Sequence, residues 1–192
     1  MKKWLTSAIK ALETSLGPVP HEVNNLDWKQ NISPKKERLT EHLSAFANHP
    51  NGGILVFGID DQTATPKGIQ QQEASAIVGQ LANLGRNALD PPVTIDHAIV
   101  DQFGYSLLFV QVKESRVKPV HLRGKPFDHC FIRSGGTTRK ASRQEVGSLL
   151  LNSRNPRWEE LRATLLLGPE DVLTKFDTGI IRKLLDRPPV ET

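Results

Sequence analysis

LSAFANHPNGGILVFGIDD, residues 43–61, decides the fold. Leu39, Leu43, Phe46 and Ala47 lead into it at helical spacing, so the stretch opens inside a helix whose apolar face looks inward. Asn48 to Gly53 then supplies a stop, with two adjacent glycines to relieve the restriction on positive φ in a close-packed turn. ILVFGI follows without a polar interruption and is rich in β-branched and aromatic residues. That pattern predicts a central strand buried on both faces, ending in the acids Asp60 and Asp61.

Working outward, Ser33 and Pro34 introduce the helix, Leu26 to Gln30 reads as a short strand, and Gly17, Pro18 and Pro20 break the chain before it. Leu5, Ile9, Leu12 and Leu16 form the stripe of an amphipathic first helix that docks on the core. Downstream, residues 60–68 form a loop, and residues 73–88 are helical with Ile77, Leu81 and Leu84 inward, ended by Pro91 and Pro92. Val93 to Val100 and Tyr105 to Val112 are strands joined through DQFG, and CFIR is a further strand. The Gly- and Thr-rich GGTTRKAS leads into a closing helix capped by Ser142 with Glu145 three residues on. The expectation is an α+β domain, helices on a mixed β-sheet, over residues 1–151, with 152–192 as a C-terminal extension.

Composition narrows the function. With 38% hydrophobic and 24% charged residues the chain is that of a folded protein, and the single cysteine, Cys130, excludes an intramolecular disulfide and a cysteine-based zinc site. Lys10 interrupts the apolar run near the start, and no stretch approaches the roughly 18 apolar residues of a membrane span, so a cytoplasmic protein is expected. The net charge is only +4, but its distribution is uneven. Between Ser115 and Arg143 stand Arg116, Lys118, Arg123, Lys125, Arg133, Arg139, Lys140 and Arg143 against one acid, Asp128. Such a segment suits a polyanion, and loops or strand edges guarded by solvated charge account for it in the bland alternative. The six histidines show no metal-ligand spacing, and Trp4, Trp28 and Trp158 read as core or docking anchors.

Three segments together carry a family resemblance: HEVNNLDWKQ at 21–30, LSAFANHPNGGILVFGIDD with KGI at 67–69, and VKPVHLRG with FIRSGGTTRKAS in the closing half. The chain resembles the Schlafen-type AlbA-like domain over roughly residues 13–151. The resemblance implies nucleic-acid binding, DNA or RNA, as in bacterial regulators, and two lobes forming a groove in Schlafen proteins, which one copy would restore as a homodimer. Lys29, Arg116, Lys118, Arg123, Lys125, Arg133, Ser134, Thr137, Arg139, Lys140 and Arg143 are the expected nucleic-acid contacts, through phosphate more than bases.

The alternative that the resemblance implies is a metal-dependent endoribonuclease acting on structured RNA or tRNA. Glu22, Asp27 and Asp61 match its catalytic acids, with Asp60 competing for the third place, and would hold Mg²⁺ or Mn²⁺. Glu22 and Asp27 are five apart, about 140° on a helix and on opposite faces of a strand, so a bend at Asn24 and Asn25 must bring them together. At 27 the chain has Asp where the family has Glu, and at 28 Trp where it has Phe. The shorter acid falls about 1 Å short, a displacement that can cost ~10²-fold in rate. Taken singly, each of these acids has a bland reading as a surface or turn residue. ATP is not supported: there is no GxxxxGK[ST] loop, and Gly52-Gly53 lacks the neighbouring Lys and hydroxyl.

Overall fold

The structure, a computed structural model, describes residues 2–17, 23–33 and 35–153, all within the unit Met1–Asn155. The anticipated extension beyond Ser153, Trp158 and Glu22 lie outside the described residues.

Strand β2 (Gly53–Phe57) is the centre of a four-stranded mixed sheet, as its unbroken apolar run requires. It pairs in parallel with β1 (Leu26–Lys29), Leu26 opposite Ile54, and antiparallel with β5 (Tyr105–Val112), which in turn pairs with β4 (Ile95–Gln102) at the far edge. Side chains alternate along each strand, so the sheet buries two separate apolar layers. Leu26, Trp28, Val56, Leu107 and Phe109 face helix α1 (Lys3–Ser15), while Leu55, Phe57, Leu108 and Val110 face α2 (Lys36–Asn48) and α3 (Gln71–Asn87). The sheet is therefore sandwiched between helices. The buried stripe of α1 is Leu5, Ala8, Leu12 and Ser15, with Ile9 and Leu16 at its margin: the helix is rotated from the expected stripe, and small residues let it sit close.

The helix-to-strand turn depends on both glycines. Gly52 has φ of +75°, and a Cβ on Gly53 would fall 1.7 Å from Cδ1 of Phe46. The β4–β5 connection is tighter than DQFG suggested, since Asp101 and Gln102 stay in the strand and only Phe103 and Gly104 turn, both at positive φ. Between α3 and β4, Leu89–Asp90 forms a two-residue strand, β3, which pairs with β6 (His121–Leu122).

The largest departure lies in GGTTRKAS. Rather than running as a loop into the last helix, Thr137–Lys140 forms β8, which folds back on β7 (Phe131–Ser134) through Gly135 and Gly136, both at positive φ. A Gly-Gly pair between FIRS and the Thr-containing TTRK is a hairpin signal that the loop reading overlooked. Helix α4 (Arg143–Leu151) begins with the expected capping box, Ser142 accepting from the Glu145 N–H.

Asn48 holds the hairpin half to the sheet half. Its amide Nδ2 donates to the carbonyls of Val120 (2.9 Å) and Phe131 (3.0 Å), and its Oδ1 accepts from Val120 N–H (2.8 Å). Ser44, one turn earlier on the same face, donates to Val120 O and accepts from Phe131 N–H. Asn48 does more than stop a helix. Asn48→Ala leaves buried backbone groups without partners and should destabilise by about 2–3 kcal/mol, measured as the shift of the urea midpoint at constant m. A loss below about 0.5 kcal/mol contradicts this role.

At the open edge of the sheet, Lys2 donates to the backbone carbonyl of His97 on β4 (2.7 Å) and pairs with Asp96, which also accepts from the Trp4 indole (2.9 Å). No helix among the described residues is long and apolar enough to cross a membrane.

Candidate nucleic-acid interface

Asp27 lies on the face of β1 that looks toward α2, where the alternation that places Leu26 and Trp28 in the opposite layer would otherwise put an apolar side chain. It is only 1% exposed, and three nitrogens surround its Oδ2: His42 Nδ1 at 3.3 Å, Lys29 Nζ at 3.5 Å and Arg133 Nη1 at 3.7 Å. A carboxylate this deep persists because cations compensate it.

Arg133 reaches that point from β7. Its Nε donates to Asn24 O (3.3 Å), its Nη2 to Leu26 O (3.2 Å) and Val23 O (3.5 Å), and its Nη1 to Thr138 Oγ1 (3.3 Å), while the guanidinium lies over the Phe46 ring. The hairpin tip adds a bond from Gly136 N–H to Asn24 Oδ1. The expected bend at Asn24 and Asn25 is present, closed by Leu26 N–H to Val23 O. Arg133 and the hairpin hold it in place.

His42 is 4% exposed on α2. Burial, ahead of the opposing attraction of Asp27, holds its pKa down at about 4, with Lys29, Arg133 and Arg38 acting in the same sense as burial. The imidazole is neutral near pH 7.

Asp61 accepts from Gln30 N–H (2.6 Å) and lines a cleft of about 320 Å³ with Lys29, Asn31, Ser33, Arg38, Leu39 and His42. Asp60 is used locally: its Oδ1 accepts from the N–H groups of Gln62 and Thr63, and these bonds, led by Thr63, hold its carboxyl below the usual range. Of the three expected acids, then, Asp27 and Asp61 are placed around Lys29, and Glu22 lies outside the described residues. The surroundings of Asp27 do not suit a hard divalent ion, which prefers oxygen ligands, whereas Oδ2 already faces three nitrogens, two of them cationic.

Two of the expected nucleic-acid contacts need correction. Arg133 is buried, its side chain 1% exposed, because it ties β7 to the start of β1, and Lys118 is buried against Glu114, with Nζ to Oε1 at 2.7 Å. Neither presents its charge to a polyanion in this conformation. Arg139 and Lys140 are exposed but bridged to Glu145 and Asp128. Arg116, Arg123, Lys125 and Arg143 are exposed and make no ion pair among the described residues, and Ser134 and Thr137, both exposed, flank the hairpin turn.

Sequence reasoning missed His42, Arg38, Ser33 and Asn31. His42 left a signal, standing at i+3 between Leu39 and Phe46 on the apolar stripe of α2, a polar group where the core is expected.

Residues 22–142 match the family described as Schlafen, AlbA_2, more than half of the chain. The chain belongs to the Schlafen AlbA_2 family. Among solved structures, the DIP2311 protein from Corynebacterium diphtheriae is similar at 18% identity and a TM-score of 0.50 over 77% of this chain, which spans 32% of that protein's length. The N-terminal domain of a RecG-related protein from Nitrosomonas europaea is similar at 23% identity and a TM-score of 0.50, covering 68% of this chain and 90% of that one. At these identities the two likenesses show the fold. No curated protein matches the chain.

Proposed function

We propose that this Schlafen AlbA_2 domain binds nucleic acid, DNA or RNA, mainly through backbone phosphates. The observation that carries the reading is that Arg116, Arg123, Lys125 and Arg143 stay exposed and free of acidic partners among the described residues, after the internal ion pairs have taken up the rest of the basic segment. Cations left in this way exchange condensed counterions for phosphates. Changing all four to Gln should weaken binding of duplex DNA at low salt and make it less salt-dependent, the slope of log K against log salt falling by ~0.9 for each phosphate that is no longer neutralised. Fluorescence anisotropy against salt measures both. An unchanged slope in the quadruple variant removes this surface from the interface. The reading includes a two-fold pair of chains that completes a groove, and a monomeric mass by light scattering at micromolar concentration, with and without nucleic acid, excludes that part.

One observation favours a second reading, metal-dependent cleavage of structured RNA or tRNA by Glu22, Asp27 and Asp61: Asp61 lines the same cleft as Lys29, whose ammonium is 3.5 Å from Asp27. Against it stand the nitrogens around Asp27. Cleavage in Mn²⁺ that is lost both in EDTA and in Asp61→Ala supports it, and intact RNA under all these conditions ends it.

A further inference from the structure

Residues 121–130 form a surface loop whose ends are joined. His121 and Cys130 face each other in an antiparallel bridge, β6 is paired with β3, and the Arg123 N–H donates to Ala88 O (2.9 Å) at the end of α3. Between these anchors residues 123–128 are all exposed. The turn at Gly124, where φ is +73°, is closed by Lys125 N–H to Leu122 O (3.0 Å). Pro126 then leads into a single 3-10 turn, Phe127–His129, closed by His129 N–H to Pro126 O (2.9 Å). The backbone is thus fixed at both ends and in the middle, although none of residues 123–128 is buried.

Phe127 is 54% exposed, and its ring meets the His121 ring in a T-shaped contact, centroids 4.9 Å apart. A single exposed phenylalanine is ordinary on a protein surface. Its neighbours distinguish this one. Arg123 and Lys125, four and two residues earlier, are exposed and make no ion pair among the described residues. The acid beside it, Asp128, is already bridged to Lys140 Nζ (3.0 Å) and His129 Nδ1 (2.8 Å). The other exposed rings among the described residues, Phe103 and Tyr105, stand in residues 101–106, which hold Asp101 and no cation.

We propose that this loop is a single-strand contact: one unpaired base stacks on Phe127 while Arg123 and Lys125 hold neighbouring phosphates. The contact rests on the proposed phosphate binding and adds the form of nucleic acid that fits it. Cations that track a backbone beside an aromatic face are the combination that holds single strands, because every base has a π-face to offer the ring. In a duplex the faces of a base are covered by its neighbours in the stack, so a ring at the protein surface finds no partner there. The contact with His121 and the fixed backbone hold Phe127 before the base arrives, which reduces the ordering cost of binding.

The test measures binding of the full chain to three labelled probes by fluorescence anisotropy: a short thymidine strand, the same strand with its bases removed, and a duplex of equal length. Phe127→Ala should weaken the thymidine strand about tenfold, the loss of one stacked base. It should leave the abasic strand and the duplex within twofold, with the slope of log K against log salt unchanged. Phe127→Tyr, which keeps a stacking ring, should bind as the wild type does, and Phe103→Ala should stay within twofold. Phe127→Trp should also bind normally and have its added emission quenched by the thymidine strand and not by the abasic one. If Phe127→Ala does not fold, that quenching decides. Equal losses on all three probes, no loss on any, or a change in mass by light scattering with strand binding intact overturn the stacking and leave phosphate binding standing. The last of these assigns the ring to a contact between copies of the chain. Failure of the wild-type chain to bind any of the probes removes the phosphate reading and the stacking with it.

Discussion

Arg133→Ala should lower the stability of the domain by about 4 kcal/mol, the range found when one partner of a buried ion pair is removed. The side chain is 1% exposed and bonds three carbonyls before β1 and at its first residue, those of Val23, Asn24 and Leu26. Its loss takes the guanidinium donors from Asn24 O and Leu26 O, leaves Val23 O with only the Leu26 N–H, and removes one of the two cations nearest Asp27. Against a total stability of about 5–15 kcal/mol, much of the population would unfold under mild conditions. Arg133→Lys should recover little, because a point charge cannot reproduce the planar fork that reaches Asn24, Leu26 and Thr138 together. Urea unfolding followed by circular dichroism measures the change, with the exposed Arg139→Ala as comparison, expected within about 1 kcal/mol. A loss under 1 kcal/mol for Arg133→Ala refutes the anchoring role. Charge reversal at 133 therefore cannot serve as a probe of nucleic-acid binding, since it would report unfolding first.

Acidification from pH 6.5 to about 4 should cost the domain up to about 3 kcal/mol through His42 alone. Burial keeps the folded imidazole neutral down to about pH 4, whereas in the unfolded chain it protonates near 6.5. Between these values the unfolded state binds the extra proton, so stability rises with pH across the window and falls as pH drops through it. Asp27 opposes the effect by favouring the imidazolium, and Lys29, Arg133 and Arg38, facing the ring from β1, β7 and α2, reinforce it. Below about pH 4.5 other groups take over. Glu145, held at about 2 chiefly by Arg139, and Asp96, held at about 2 chiefly by Lys2, lose their partners' benefit only as they protonate. His42→Gln should therefore flatten the stability profile between pH 6.5 and 5 and leave the fall below 4.5 in place. If that variant does not fold, the wild-type ring resonances decide: protonation of His42 with a midpoint above 6 eliminates the effect.

The sheet was legible because its signal is local and repeated. The unbroken, β-branched run of Ile54 to Phe57 reads as a buried strand, and the Gly52-Gly53 turn followed from glycine's freedom at positive φ, while the close contact of Gly53 with Phe46 came only with the structure. The family resemblance singled out Asp27 and Asp61, and the structure puts Lys29 3.5 Å from the first and in the cleft that the second lines. What escaped the sequence depends on contacts between distant segments. Arg133 looks like any other basic residue of 115–143 until β7 is seen to cross α2 and meet the bend before β1, and Asn48 looks like a helix stop until Val120 and Phe131 arrive beside it. Thr137 to Lys140 was misjudged because its polar composition suits an edge hairpin as well as a loop, and only pairing with β7 separates the two.

The hydrogen bond from Lys2 to His97 bears on how the molecule behaves among copies of itself. An eight-residue outer strand such as β4 offers a row of backbone groups on which another chain can template, and a lysine ammonium lodged on that row is a deterrent of the kind natural sheets use against sticking edge to edge. A charge at the second residue of the chain thus guards colloidal solubility for a sheet edge formed some 95 residues later.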